Sequence, residues 1–242
     1  MKFPILKEFL SRLGVYVSPR LVHYFSGALN YLSVGHWFRD WQLTVPPRCA
    51  DRIALYGEVA KLITEPAAYL EFGVFEGASL RHWTTLLRQP ESSFDGFDSF
   101  EGLPENWGLF TGKKVFDVQG RMPHYDDSRV HLHKGWFSDT LPGFLRAFRA
   151  RPALIVHLDA DLYSSTIYVL RQLRPHLRPG AILIFDEFFD REHELKAFTE
   201  FLQDERIQVK CVAATRALTE VAFQILSIPG QSSAHEGNRP QT

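Results

Sequence analysis

"ALIVHLDADLYSST", Ala153 to Thr166, is the stretch on which the fold turns. Ala153 to Val156 is short, branched and uncharged, the pattern of a strand buried on both faces of a parallel sheet. Two carboxylates, Asp159 and Asp161, follow at once. Asp is a poor strand residue and costly to bury unpaired, so the strand ends there. A helical pattern then runs from Tyr163 to Leu177 and stops at the Pro-Gly of "RPGA". Strand, acidic turn and crossover helix make one unit of a doubly wound α/β sheet, and such sheets bind ligands beyond the carboxyl ends of their strands. The plain alternative for the two acids is a loop with a helix cap.

Outward from this unit, six further apolar runs alternate with helical patterns: "YLEFGV", "FDGFD", "VHLH", "AILIFD", "QVKCVA" and "VAFQILSI". The alternation predicts a mostly parallel, seven-stranded, doubly wound α/β sheet with helices on both faces. The last two runs sit close together and read as an antiparallel pair. Residues 49–229 form the main domain, opened by a helix from Arg52 to Ile63. Residues 1–48 read as a helical, aromatic-rich extension broken at Pro19 and closed by "VPPR". Residues 230–242 are almost without apolar side chains and are expected to be disordered.

The chain has 242 residues, 45% hydrophobic and 23% charged, enough for one large domain with a full core. A net charge of −1 gives no field to draw it to nucleic acid or to an anionic membrane. Cys49 and Cys211 make neither a disulfide framework nor a thiolate metal site, which fits a reducing, cytoplasmic compartment. "MKFPILKEFL" spreads its charges through the apolar positions, unlike a signal peptide. Leu21 to Phe38 carries no Asp, Glu, Lys or Arg, but His23, Ser26, Asn30, Ser33 and His36 recur along it, so no membrane span is expected. A lid, a contact between subunits and plain core packing stay open for this segment.

"YLEFGVFEGAS" closes a strand with Glu71, Gly73 and Gly77 and begins a helix. Glycines there let a ligand reach the backbone, and the helix start offers free N–H groups. The spacing is not G-x-G-x-x-G, which argues against a dinucleotide pyrophosphate. An acid two residues before the first glycine suits a cationic group such as an α-amine; a tight turn is the alternative. In "FDGFDSFEGLP", Asp98 is placed to accept both hydroxyls of a ribose, with Asp95 as its rival. Gly135, Trp136 and Phe137 offer an aromatic wall for a purine, although ordinary packing uses the same residues. Amine acid, ribose acid and purine wall on successive strands describe an S-adenosylmethionine pocket.

"AILIFDEFFD" ends another strand with Asp186 and Glu187. If that strand neighbours the one ending at Asp159, three carboxylates converge, and like charges held together call for a cation. An oxygen-preferring ion such as Mg²⁺ resolves the conflict most simply. The alternative leaves Glu187 and Asp161 in solvent, with only Asp186 engaged. His157, inside its strand, reads as a core histidine. His193 and Glu194 open a helix and read as caps or as substrate contacts.

Together with "GFDSFEGLPENW", "KGWFSDTLP" and "GAILIFDEF", these segments resemble the macrocin O-methyltransferase family of antibiotic-sugar methyltransferases, from about Tyr69 to Phe198. Glu71-x-Gly73 and the acid pair also look similar to the catechol O-methyltransferase fold. The resemblance implies a Rossmann-like class I methyltransferase that depends on S-adenosylmethionine and Mg²⁺ and methylates a hydroxyl of a saccharide or another vicinal diol. It implies that Asp159, Asp186 and Glu187 hold the metal, and that Glu71, Gly73, Asp98, Ser99, Gly135 and Trp136 hold the cofactor. Glu187 departs from the second Asp of the sugar enzymes. The first 48 residues carry no likeness that would name the substrate.

A sulfonium methyl is already electrophilic, so the main task of such an enzyme is to aim a hydroxyl at it. Asp159 or Asp161 is placed to accept the hydroxyl proton. The segment from Glu101 to about Arg129 is expected to fold over the substrate, with Trp107 and Phe110 available to stack on a sugar face. Two rival readings are a nicotinamide-dependent oxidoreductase and a non-catalytic S-adenosylmethionine-binding partner domain. The missing third glycine counts against the first. An unused carboxylate cluster, which would only cost stability, counts against the second.

Overall fold

The structure, a computed structural model, describes residues 4–107 and 112–230. Phe110 and the expected disorder of the tail beyond residue 230 therefore lie outside the described residues. The uncharged runs form the middle of one sheet. Strands β1 (Ala67–Phe72), β4 (Ala153–Leu158) and β5 (Ile182–Phe185) sit side by side, and β1 and β5 are buried along their whole length. Strand β2 (Ser93–Asp98) follows on one side, and β3 (Val130–Lys134), which carries His131 and Lys134, forms that edge. On the other side lie β7 (Val221–Ser227) and then β6 (Gln208–Ala214). The order is β3-β2-β1-β4-β5-β7-β6, with β7 antiparallel to both neighbours and the other pairings parallel. The expected seven strands and the antiparallel last pair are both present. The insertion of β7 between β5 and β6 could not be read from spacing alone.

The described residues contain seven α-helices: α1 (Pro4–Gly14), α2 (Pro19–Asp40), α3 (Arg52–Ala60), α4 (Ala78–Leu86), α5 (Phe137–Ala147), α6 (Tyr163–Leu173) and α7 (Glu194–Glu205). One core joins α5, α6, α7 and the end of α2 to one sheet face through Phe185, Phe188, Phe198 and Phe223. The other joins α3 and α4 to the opposite face through Tyr56, Trp83 and Tyr69. Helix α3 ends three residues before the expected Ile63. Helix α6 ends at Leu173 rather than Leu177, where a 3₁₀ turn passes through Pro175, which has no N–H for the ladder.

The break at Pro19 is real: Ser18 caps α2 by accepting the Leu21 N–H at 3.3 Å. The first half of α2 is exposed, but Val34, Trp37 and Phe38 belong to the main core. The Trp37 indole N–H donates to Thr199 Oγ1 of α7 at 2.8 Å. The end of the extension is thus stitched to the sheet domain. Among the described residues, no helix is long and apolar enough to cross a membrane.

Candidate active site

The chain leaves β1 towards β2 on one side, while β4 leads to β5 on the other. The crevice at this switch point opens beyond the carboxyl ends of the strands. There the loops enclose a cavity of about 730 Å³. The loop after β1 gives Gly73, the end of β2 and its loop give Asp98 and Ser99, and the loop after β3 gives Gly135 and Trp136. The opposite wall carries Asp159 and Asp161 after β4 and Asp186 and Glu187 after β5. Leu103, Pro104, Trp107 and Phe116 of the long segment border the same cavity, as expected for Trp107.

Glu71 and Gly77 are not on this wall. Glu71 is fully buried on the α3/α4 face of the sheet, where the Tyr69 and Ser79 hydroxyls donate to its two oxygens at 2.6 Å each. Both Glu71 oxygens are thus engaged by hydroxyl donors, and its side chain has no surface on the cavity. Both glycines also have packing roles, and Gly73 lines the cavity as well. A Cβ on Gly73, at φ +97°, would strike the carbonyl oxygen of Asp159, so this glycine lets the ends of β1 and β4 approach each other. A Cβ on Gly77, at φ +75°, would strike the Tyr125 hydroxyl, which donates to the Gly77 carbonyl at 2.9 Å.

Asp98 stands on the wall and is half-buried. Its Oδ2 accepts the N–H groups of Val74 and Phe75 at 2.8 Å each, and its Oδ1 accepts that of Phe100 at 2.6 Å. It thereby fixes the loop between β1 and α4 as well as its own. The rival Asp95 turns away to His133, at 2.9 Å.

The acidic wall is electrostatically strained. Burial, then the charge of Asp186, holds the Asp159 carboxyl well above its usual range. Asp161, buried and at φ +58°, is pushed up to about 7 by burial, then by Asp186 and Asp98. Glu187 is pushed up to about 8 by burial, then by Asp186 and Asp161. Asp161 and Glu187 both line the cavity, so the reading that leaves them in bulk solvent is set aside.

Arg52, which sequence reasoning missed, brings a cation to this wall. It pairs with Asp186 at 3.0 Å and with Glu220 at 3.3 Å. No sequence signal marks it beyond its place at the start of α3. Three carboxylates do share one wall, and their all-oxygen chemistry suits a hard divalent cation. The Oδ1 of Asp186 is buried without a hydrogen-bond partner. As placed, however, no group of three or more His, Cys, Asp or Glu among the described residues is spaced to hold a metal ion. In this arrangement Arg52 supplies the positive charge at Asp186.

His193 and Glu194 turn out to be internal props. The Tyr163 N–H that opens α6 donates to His193 Nδ1 at 3.2 Å, so the histidine caps a neighbouring helix. Glu194, fully buried, accepts the Glu187 N–H at 3.0 Å and is held well above its usual range by burial, then by Asp159.

Sheet order, antiparallel β7 and switch-point crevice define the Rossmann-like class I methyltransferase fold. Residues 70–188 match a family described as a methyltransferase domain. Over 146 residues the chain is 31% identical to 8-demethyl-8-(2,3-dimethoxy-alpha-L-rhamnosyl)-tetracenomycin-C 4'-O-methyltransferase of Streptomyces olivaceus, covering 51% of this chain and 53% of that protein. The chain spans about half the length of the curated relatives it matches. Among solved structures, the calicheamicin methyltransferase CalS11 superposes with TM-score 0.57 at 22% identity, covering 92% of this chain and 87% of that one. The O-methyltransferase NovP superposes with TM-score 0.55 at 21% identity, covering 73% and 80%.

Proposed function

We propose that this protein is an S-adenosylmethionine-dependent O-methyltransferase of the macrocin type, acting on a hydroxyl of a saccharide or another vicinal diol. One observation carries the reading: a single cavity at the switch point of a methyltransferase sheet has Asp98 and Trp136 on one side and an acidic wall on the other. The rhamnosyl O-methyltransferase likeness points the acceptor towards a sugar. Asp98 and Ser99 take the ribose side, Gly135 and Trp136 the purine side, and the loop from Gly73 to Gly77 the methionine side. S-adenosylmethionine supplies an electrophilic methyl group when bound. The residues of this chain then aim the acceptor hydroxyl in line with it, exclude water and take the hydroxyl proton on a carboxylate as the C–O bond forms and the C–S bond breaks. Asp161, pushed up to about 7, is suited to that proton, with Asp159 beside it. A divalent cation would be held by Asp159, Asp186 and Glu187 and would lower the hydroxyl pKa through its charge. Asp186 Oδ1, which has no hydrogen-bond partner, favours this site; the Arg52 ion pair competes with it.

Calorimetric titration tests the cofactor. S-adenosylhomocysteine is expected to bind in the micromolar range, on the order of −8 kcal/mol. NAD binding without any response to S-adenosylhomocysteine would overturn the reading in favour of an oxidoreductase. Product analysis is expected to place the methyl on oxygen; a methyl on nitrogen or carbon contradicts the acceptor class. For the cation, Mn²⁺ titration is expected to show one site that weakens in Asp186→Asn. Unchanged binding in that variant removes Asp186 from the metal site.

We also assign the exposed apolar side chains of α1 and α2, Phe9, Leu10, Tyr24 and Leu32 among them, to a contact between copies of the chain. The two buried, unpaired cysteines support a cytoplasmic setting.

A further inference from the structure

Beneath the cavity floor lies a line of polar side chains, all but the first of them buried, that touches no part of the cavity wall until its last member. Ser79, in the first turn of α4, donates to Glu71 Oε1 at 2.6 Å. Tyr69 donates its one proton to Glu71 Oε2 at 2.6 Å. The Tyr69 oxygen also lies 2.8 Å from His157 Nδ1. With the tyrosine proton committed to Glu71, the Nδ1–H of His157 is the donor in that second bond. His157 Nε2 then faces Asp186 Oδ1 at 3.7 Å, and neither atom has a hydrogen-bond partner. Tyr69, Glu71 and His157 are all completely buried.

Strand geometry explains the alignment. Tyr69 and Glu71 are two apart on β1 and share a face, and Glu71 stands opposite His157 on β4. His157 pairs in turn with Ile184 of β5, two residues before Asp186. The line therefore crosses the switch point, from the helix that follows the cofactor loop to the acidic wall.

We propose that Tyr69 and His157 are positioning residues that couple the two halves of the cavity, with Glu71 as their anchor rather than a cofactor contact. The inference rests on the methyltransferase reading given above. A change at the loop between β1 and α4 moves Ser79 and Glu71, and through them sets how His157 presents Nε2 to Asp186. The facing atoms stand just beyond hydrogen-bond distance, so a shift of about half an ångström makes or breaks the last link. If the line carries coupling energy, a substitution at Asp186 changes cofactor affinity through it, and that change depends on the intervening side chains.

The test is a double-mutant cycle read by S-adenosylhomocysteine binding, together with the ring signals of ¹⁵N-histidine-labelled protein. Asp186→Asn is expected to change the S-adenosylhomocysteine affinity roughly 5-fold in the wild-type background, and to change it little when Tyr69→Phe has removed the bridging hydroxyl. The His157 ring signals, assigned by their loss in His157→Gln, are expected to move on saturation with S-adenosylhomocysteine although no ligand in the cavity can reach that ring. Purely structural packing would leave them in place. Additive effects of the two substitutions, or His157 signals that stay fixed at saturation, overturn the coupling. If Tyr69→Phe does not fold, the wild-type spectra decide alone. Absence of any S-adenosylhomocysteine binding would instead overturn the cofactor reading itself.

Discussion

Asp161 shows how one residue reports on its whole surroundings. Its folded-state pKa, about 7, lies above the ordinary 3.8, so the folded chain binds this proton more tightly than the unfolded chain. The stability from this group is complete below about pH 3.8 and is lost as pH rises through about 7. Asn keeps the shape, tolerates the positive φ and cannot ionise. In chelator, Asp161→Asn is expected to gain stability relative to wild type between pH 5.5 and pH 8, by roughly 1–3 kcal/mol. Thermal melts at the two pH values check it; an equal difference at both contradicts it. Arg52 gives a second prediction. Arg52→Met strands Asp186, whose side chain is 5% exposed, without its cation. Because the arginine is itself 45% exposed, the expected loss is moderate, about 1–2 kcal/mol in urea unfolding. No loss would mean the pair is only a surface contact. Legibility at this scale was uneven. Asp98, Asp159, Asp161, Asp186 and Glu187 were visible because carboxylates at strand ends break the apolar pattern. Arg52 was not, because an arginine at a helix start breaks nothing.

At the scale of elements, the junctions between strand and helix carry the site. Gly73 lines the cavity, where a ligand could meet the backbone, and its bare Cα also faces the Asp159 carbonyl. Gly73→Ala is expected to cost about 2–4 kcal/mol, since φ +97° is strained for alanine and the new methyl pushes β1 and β4 apart. Denaturant unfolding measures the cost, and a loss below about 1 kcal/mol would show that the junction can relax. S-adenosylhomocysteine affinity is expected to fall with it, because Asp159 moves. His193 teaches the same lesson from the other side. Read as a cap on its own helix, it caps α6 instead, since the loop after β5 folds back over the start of that helix. A sequence lists neighbours along the chain, and capping partners are neighbours in space.

For the whole molecule, the unpartnered face of α1 and α2 yields the remaining prediction. Exposed aromatic and aliphatic side chains on two successive helices form more apolar surface than scattered single residues account for. Light scattering is expected to find a dimer or larger assembly, and Phe9→Glu with Leu32→Glu is expected to shift it towards monomer. A wild-type monomer at high micromolar concentration contradicts the assignment. The sequence alone determined the sheet class, the strand count, the antiparallel last pair and the acids at the strand ends, because these follow from local apolar period and from the cost of placing charge inside a strand. The tertiary structure alone decided that β7 lies between β5 and β6, that Arg52 reaches Asp186, and that Glu71 lies beneath the cavity rather than on its wall. Those outcomes depend on which face of the sheet each side chain meets and on which strands become neighbours. Pairing energy between segments far apart in the chain sets both, and no local pattern encodes it.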